Sequence, residues 1–197
     1  MKKIYSTFIL ILLIVFSTAL QGCRSFESSG NGEDASSEPE VVKIGASRAV
    51  ELKESGQKDC SAVIAIGDDP DNNQIKGIIV FNIENLYGLD ILKASVNISG
   101  AHTRSKPAFG EKVIIEAVDE IDFDRKGIYI SDFEVGNYLD FVIVSEDLAK
   151  TVSSALSDGI KEYYLRFKLK NPTNGDSVED LLIINTYDAY LETEFKD

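Results

Sequence analysis

Residues 163–170 contain a row of side chains that could bind an anion or a sugar. The row occupies alternate positions and consists of Tyr164, Arg166, Lys168 and Lys170. In a β-strand, alternate side chains point to the same face of the sheet. Tyrosine rings stack on sugar rings, while arginine and lysine pair with carboxylates or sulfates. The spacing therefore predicts a ligand-binding row for an acidic polysaccharide. The alternative is a solvated sheet face whose cations balance acids on neighbouring strands, such as Glu192 and Glu194.

Two segments rich in Asp and Asn offer the oxygen ligands that Ca²⁺ prefers. One contains Asp68, Asp69, Asp71 and Asn73, and the other contains Asn174, Asp176 and Asp180. The first begins with the spacing of an EF-hand, but Gln74 stands where that motif needs glycine and Val80 where it needs the closing glutamate. The EF-hand motif therefore fails, but either segment could hold Ca²⁺. The residues proposed as its ligands are Asn174, Asp176 and Asp180 of the second segment. The alternative is that these residues form turns and cap their own backbone.

The residues needed for catalysis do not form a motif. The single histidine, His102, lies in a polar segment with Arg104 and Lys106, which together make a small basic patch. The sequence has no Gly-x-Ser-x-Gly, His-Glu-x-x-His, phosphate-loop or Cys-x-x-Cys motif. The 33 acidic residues supply many carboxylate pairs for glycoside hydrolysis, but nothing singles one out. The sequence therefore favours a protein that is not an enzyme, with a hydrolase as the remotest alternative.

Composition and charge limit the class of partner. The chain has 197 residues, of which 44% are hydrophobic and 27% charged, a balance typical of one soluble globular domain. It carries 33 acidic and 20 basic side chains, so its formal net charge is -13. Nucleic-acid binding needs a concentrated basic surface, so we expect no nucleic-acid partner.

The N-terminus has the pattern of an export signal. Lys2 and Lys3 precede the apolar run from Ile9 to Phe16, which is too short to span a bilayer. The following Leu20-Gln-Gly-Cys23 resembles the lipobox of bacterial lipoproteins, in which the cysteine is acylated and becomes the first mature residue. This resemblance predicts a signal peptide over residues 1–22 and a membrane anchor on Cys23; the alternative is an ordinary secretory peptide. Because Arg24 is not Asp, the sorting rule of enteric lipoproteins implies the outer membrane, if the host has one.

The mature chain divides into a tether and one domain. Residues 24–40 are mostly Ser, Gly and acidic residues with little to bury, so we expect a flexible tether over residues 23–40. From residue 41 onward, apolar and polar residues alternate in many short windows, of which residues 92–99 are the clearest. Other short runs, including residues 78–83 and 113–118, are apolar on both faces. Nine or ten strands with little helix between them predict an all-β domain over residues 41–197, an antiparallel β-sandwich of jelly-roll type.

One amphipathic helix is predicted after residue 144. Ser145 is a natural N-cap, and Gly159 lies just past the expected end. The apolar residues of this segment fall on one helix face, at Leu148, Val152, Ala155 and Leu156. We expect the helix to cover one open end of the sandwich core. Cys60, which has no partner in the chain if Cys23 is lipidated, is interpreted as a small buried side chain.

Several of these segments resemble the DNRLRE-type modules of exported prokaryotic proteins. The similar stretches are residues 74–83, residues 91–98, and the capped helix followed by Tyr163-Tyr-Leu-Arg-Phe167 and a turn at residues 174–176. The resemblance covers about residues 62–195 and departs from the family pattern at residues 189–195. It implies a jelly-roll β-sandwich and, since some such modules are counted among carbohydrate-binding modules, a polysaccharide ligand.

The sequence thus predicts a membrane-anchored envelope lipoprotein with a non-catalytic binding domain, for which polysaccharide is the leading ligand. The close alternative is a structural lipoprotein whose sheet face docks on another envelope protein. An open, tyrosine-lined groove would favour a glycan, and a flat apolar patch would favour a protein.

Overall fold

The segments in which apolar and polar residues alternate form antiparallel β-strands. The computed structural model describes residues 38–60, 62–104, 112–135, 138–172 and 175–196. Within these ranges the strands are β1 (Glu40–Lys53), β2 (Gly56–Cys60), β3 (Val63–Asp68), β4 (Gln74–Asn82), β5 (Asp90–Arg104), β6 (Lys112–Val118), β7 (Ile128–Glu134), β8 (Tyr138–Val144), β9 (Glu162–Leu169), β10 (Asp180–Asn185) and β11 (Tyr190–Lys196). The one α-helix among them is α1 (Glu146–Ser157), and Glu84–Leu86 forms a single 3₁₀ turn.

The strands form two sheets that share β1 and β4. In the sheet called A here, β1 pairs with β11, β11 with β5, and β5 with β8. In the same sheet, β5 also pairs with β10, β10 with β3, and β3 with the start of β4. In the sheet called B, the order is β2-β1-β4-β9-β6-β7. β1 passes from sheet A to sheet B where its register shifts, between Ala46 and Arg48.

The main core lies between the two sheets. Its fully buried members include Ile64, Ile66, Ile79, Phe81, Val96, Ile98, Ile115, Leu165, Phe167, Leu182 and Leu191. They come from strands of both sheets, as the inward-facing rows of a sandwich do. The predicted all-β, antiparallel sandwich of jelly-roll type with one short helix is therefore confirmed.

The helix α1 closes part of this core. The side chain of Ser145 accepts a hydrogen bond from the backbone N–H of Asp147, so it is the predicted N-cap. The chain leaves the helix at Asp158 and turns at Gly159, where φ is +73°. The residues Leu148, Ala149, Val152 and Ala155 are buried in the core cluster, and α1 packs on β5 and β7.

Two strands were not predicted. The strand β2 is polar, with the sequence GQKDC, and most of it is exposed. It therefore lacks the alternating apolar residues from which a strand can be predicted. The strand β7 follows a charged turn and has a mixed exposure pattern. Both lie at an edge of sheet B, where burial on one face is incomplete and the alternation is correspondingly weak.

The predictions for residues 1–40 concern a part of the chain that lies almost entirely outside the described residues. The signal peptide over residues 1–22, the lipidation site Cys23 and nearly all of the tether lie outside the described residues, although Glu40 at its end already belongs to β1. None of the helices in the described part of the chain is long and apolar enough to cross a membrane. The residues from Ser37 to Asp197 form one compact unit.

Candidate functional site

The predicted ligand-binding row lies on the outer face of sheet B, but it is unevenly exposed. Its inward counterparts on β9, Tyr163, Leu165, Phe167 and Leu169, are buried in the main core. Within the row, Lys170 is exposed, while Tyr164 and Lys168 are half-buried. Arg166 is only 2% exposed. Tyr164, Arg166 and Lys168 share a face of β9, as predicted, whereas Lys170 follows the end of the strand. The four side chains do not form one open surface.

Arg166 is held by the carboxylate of Glu116 on the neighbouring strand β6. Its Nε and Nη2 donate to Glu116 Oε2 at 3.1 and 2.5 Å. Lys168 Nζ lies 2.7 Å from Glu116 Oε1. Burial opposes ionisation of Glu116, but the hydrogen bonds from Lys168 and Arg166 outweigh it and hold its pKa below the ordinary 4.5. Two of the three cations in the row, Arg166 and Lys168, are thus balanced by an acid on an adjacent strand. The alternative interpretation proposed such balancing, but on a solvated face, whereas Arg166 is buried.

That acid is not one of those named from the sequence. Glu192 pairs with Lys43 at 3.0 Å and Glu194 with Lys93 at 2.7 Å, both in sheet A. Glu116 was missed because it stands in a run of otherwise apolar residues, VIIEAV. A single charged residue in such a run is itself a signal, since a buried carboxylate requires a cationic partner.

A second hydrophobic cluster covers the centre of this outer face. We call residues 119–127, which join β6 to β7, the covering segment. Ile121 and Phe123 of this segment pack on a small cluster made of Val50, Leu52, Ile78, Val80 and Val118. Gly127 lies so close to Glu116 that an added Cβ would come within 2.7 Å of the Cβ of Glu116. The apolar outer positions of residues 78–83 were the available sequence signal for such a cover.

Lys76 fastens the covering segment to the sheet. Its Nζ donates to the carbonyl oxygen of Phe123 at 2.6 Å and lies 3.6 Å from the centroid of the Phe123 ring. Burial, followed by the nearby charges of Arg166 and Lys168, lowers the pKa of Lys76. The centre of sheet B is therefore a closed, charge-paired surface.

The two acidic segments lie side by side, which the sequence did not predict. Asp68 at the end of β3 is the direct strand partner of Asp180 at the start of β10, and both are buried. In the first segment, Asp69 Oδ1 accepts hydrogen bonds from the backbone of Asp71 and Asn73, and Lys53 pairs with the same carboxylate at 3.3 Å.

The second segment is described only in part. Asp176 Oδ1 accepts a hydrogen bond from the backbone N–H of Val178 at 2.8 Å, whereas Asn174 lies outside the described residues. Across the part of the chain that the structure describes, no three His, Cys, Asp or Glu side chains are grouped to hold a metal ion. The carboxylates of Asp69 and Asp176 accept backbone hydrogen bonds within turns, as the alternative proposed. The Ca²⁺ site stays a prediction.

The small basic patch lies at the end of β5. His102 is exposed, and the Arg104 guanidinium approaches Glu179 at 3.7 Å. Lys106 lies outside the described residues. An acid on a neighbouring segment therefore offsets part of this patch.

A groove with several polar side chains lies on the outer face of sheet A. Two adjoining cavities, of about 280 and 260 Å³, share Asn97 and Val142. We call their combined lining the sheet A groove. Besides the two shared residues, it includes Lys93, Ser95, Ser99, Asp140, Val144, Asp188, Tyr190, Glu192 and Glu194.

Pairing of β5 with β8 on one side and β11 on the other creates this groove. Val142 and Tyr190 are both strand partners of Asn97, so the three side chains lie across the groove in one line. Asn97 Nδ2 donates to Ser95 Oγ at 3.4 Å, and Lys43 Nζ lies 4.7 Å from the centroid of the Tyr190 ring. The groove therefore combines amide, hydroxyl and carboxylate groups with the aromatic ring of Tyr190 and exposed valine methyl groups.

This groove could not be predicted from the sequence, because most of its residues come from three strands, β5, β8 and β11, that are far apart in the chain. Searches with protein-family models and among curated proteins produce no match to this chain. The resemblance to DNRLRE-type modules accordingly stays a prediction, and a sandwich fold by itself does not determine function.

Proposed function

We propose that the protein is an exported, lipid-anchored envelope protein whose β-sandwich is a non-catalytic binding module for a polysaccharide. The observation that supports a glycan ligand best is the sheet A groove. Sugars present hydroxyl groups, which pair with amides, hydroxyls and carboxylates, and apolar ring faces, which pack on aromatic and aliphatic side chains. Asn97, Ser95 and Glu192 supply the first kind of contact, and Tyr190 and Val142 supply the second.

The charge of the groove favours a neutral polysaccharide over an acidic one. Its lining contains four carboxylates, Asp140, Asp188, Glu192 and Glu194, and one cation, Lys93. Glu194 is paired with Lys93 and Glu192 with Lys43, so the negative charges of Asp140 and Asp188 remain. An acidic glycan would instead have to use Lys168 and Lys170 of the sheet B row, whose central Arg166 is committed to Glu116.

The proposed lipid anchor would hold the binding module at a membrane of the cell envelope. Two or more acyl chains on Cys23 would hold the protein stably on a membrane. A flexible tether over residues 24–40 would have a reach of about 20–25 Å as a random coil. The head would then be free to hold a polysaccharide close to the membrane surface.

A protein ligand is the second candidate, and β8 is the observation that favours it. In the described part of the chain β8 pairs with β5 alone. It presents Val142 and Val144 with exposed fractions of 58% and 69%. An edge strand with exposed valines can pair with a strand from another protein.

The test is retention of the head on immobilised polysaccharides. Residues Ser37–Asp197 form a compact unit with their own core, so the head can be produced without its anchor. The panel contains neutral cello-, xylo- and manno-polysaccharides and acidic alginate and polygalacturonate. The groove variant is Asn97→Ala/Tyr190→Ala, and the matched control, on the other sheet, is Lys168→Gln/Lys170→Gln.

We expect retention on a neutral polysaccharide that the groove variant loses and the sheet B variant keeps. Retention on an acidic polysaccharide that only the sheet B variant loses would contradict the proposed location and the neutral ligand. A folded head that binds no member of the panel would contradict the glycan proposal and favour a search for an envelope protein that contacts β8.

A further inference from the structure

A separate cavity of about 430 Å³ lies between α1, the adjacent ends of β6 and β9, and the covering segment. The part of its lining that is apolar comes from Ala117, Val118, Ile128, Ala155, Ile160 and Tyr163. None of these residues belongs to the sheet A groove. A largely apolar cavity with a few polar groups at its edge is the usual form of a small-molecule site.

Small side chains on α1 keep this cavity open. Thr151, Ser154 and Ala155 face it from the helix, and Ala117 faces it from β6. Tyr163 forms part of the wall, is 3% exposed, and has its hydroxyl 2.7 Å from Thr151 Oγ1. Burial raises the pKa of Tyr163, so its phenol stays neutral and hydrogen-bonded. This wall is therefore uncharged and fixed in position.

The opposite wall is formed by the covering segment, which contains its own ion pairs. Arg125 in the covering segment pairs with Asp119, and its Nη1 lies 3.1 Å from Glu120 Oε1. The contact between Lys76 and Phe123 fastens the same segment to sheet B. Both walls are thus formed before any ligand arrives, which reduces the entropic cost of binding.

The edge of the cavity is negative on the side of α1. Asp158 caps the helix and Glu162 begins β9, and both line the cavity. The C-terminus of a helix carries a partial negative charge, and the last turn of α1, which is described in full, contains no basic residue to offset it. On the other side, the charge of Arg125 is balanced by Asp119 and Glu120, and Lys126 lies at that lip.

We propose that this cavity binds a small amphiphilic cation, with an apolar body against Val118, Ile160 and Tyr163. Its ammonium group would lie beside Asp158 and Glu162 at the C-terminus of α1. The apolar lining would favour an apolar body, and the carboxylates of Asp158 and Glu162 at the edge beside α1 would favour a positive charge next to them. The inference is independent of the glycan proposal, because the two sites share no residue.

The test is calorimetric titration of the head with three probes of nearly equal size. Phenethylamine carries the cation, 2-phenylethanol is its neutral analogue, and 3-phenylpropanoate is its anionic analogue. Two carboxylates and a helix C-terminus favour the amine over the alcohol by about five- to tenfold in affinity. We expect the anion to bind more weakly than the alcohol.

Two pairs of variants locate the site. Ser154→Leu fills the cavity from an exposed helix position and should lower the affinity for phenethylamine by about tenfold or more. Ser157→Leu is the matched control, since Ser157 is on the same helix but does not line this cavity. Asp158→Asn/Glu162→Gln should remove the preference for the amine while leaving the affinity for the alcohol unchanged.

Three results would overturn the proposal. The first is the absence of binding by all three probes at millimolar concentration. The second is equal affinity for the amine and the alcohol in the unmodified head. The third is an affinity for phenethylamine that Ser154→Leu and Ser157→Leu change to the same extent. Circular dichroism of each variant separates loss of the site from loss of the fold.

Discussion

Asn72 and Ser177 hydrogen-bond to each other in both directions, although they lie 105 residues apart in the chain. Asn72 Nδ2 donates to Ser177 Oγ at 3.3 Å, and the backbone N–H of Ser177 donates to Asn72 Oδ1 at 3.2 Å. Their φ angles are +62° and +60°, and no other non-glycine residue in the described ranges has a positive φ. The pair ties the β3–β4 turn to the segment that precedes β10.

The backbone conformation at Ser177 predicts opposite effects for two substitutions. Ser177→Val places a β-branched residue at a positive φ, so it should lower the free energy of unfolding by about 1–3 kcal/mol. Ser177→Gly suits that conformation and keeps the backbone N–H that donates to Asn72, so it should change stability by less than about 0.5 kcal/mol. Urea unfolding of both variants tests this. An equal effect of the two would show that the positive φ at Ser177 carries no cost.

The ion pair under the covering segment should contribute strongly to stability. Glu116→Gln leaves Arg166 buried without its countercharge and removes the partner of Lys168, so we expect a loss of about 3–5 kcal/mol in the free energy of unfolding. Glu194→Gln removes an exposed pair with Lys93 and should cost less than about 1 kcal/mol. Comparable losses of unfolding free energy in the two variants would mean that the buried ion pair contributes no more to stability than the exposed one.

The same carboxylate predicts a pH dependence. The pKa of Glu116 is lower in the folded protein than its ordinary 4.5, so its ionised form stabilises the fold fully above about pH 4.5 and progressively less as the pH falls through the folded value. The difference in unfolding free energy between the unmodified protein and Glu116→Gln should therefore be large at pH 7 and shrink towards pH 3. A difference that does not change with pH would contradict this assignment.

Much of the fold could be predicted from the sequence, because burial on one face of a strand leaves a period of two. The inward row of β9, the N-cap Ser145 and the apolar face of α1 were all visible as patterns. The strand β2 was not, since an edge strand that buries little carries little pattern. The meeting of Asn72 with Ser177 depends on the pairing of β3 with β10, and no local signal encodes that pairing.

The close packing at Gly127 gives a further prediction. A Cβ at this position would lie 2.7 Å from the Cβ of Glu116 and 3.1 Å from the carbonyl oxygen of Ala117. Gly127→Ala should therefore push the covering segment outward and destabilise the protein by about 1–3 kcal/mol. Gly45→Ala is the matched control, because nothing lies within 4 Å of its added Cβ. Thermal unfolding at neutral pH compares the two, and equal melting temperatures would contradict the packing.

The candidate sites were less predictable than the fold. Alternation correctly placed Tyr164, Arg166 and Lys168 on one face of β9, but it could not reveal that Arg166 is buried and paired with Glu116. The sheet A groove joins Asn97, Val142 and Tyr190, which belong to three strands. Side chains become neighbours in this way only through strand order, and strand order is a property of the whole fold.

The anchor proposed for Cys23 predicts where the protein is found. In a bacterial host that processes lipoproteins, the unmodified protein should partition into the detergent phase of Triton X-114 and incorporate labelled palmitate. Cys23→Ala removes the acylated thiol and should abolish the labelling, while Cys60→Ala, the matched control, should leave it intact. Detergent-phase partition and labelling of Cys23→Ala would contradict lipidation at this residue.

The proposal of a glycan ligand in the sheet A groove is tested most directly by nuclear magnetic resonance. The ¹⁵N-labelled head is titrated with soluble cello-, xylo- and manno-oligosaccharides, and with oligogalacturonate as the acidic comparison. We predict that a neutral oligosaccharide shifts the amide signals of β5, β8 and β11 around Asn97, Val142 and Tyr190. Shifts confined to β6 and β9, or no shift with any of these sugars, would contradict the proposal that the sheet A groove binds a glycan.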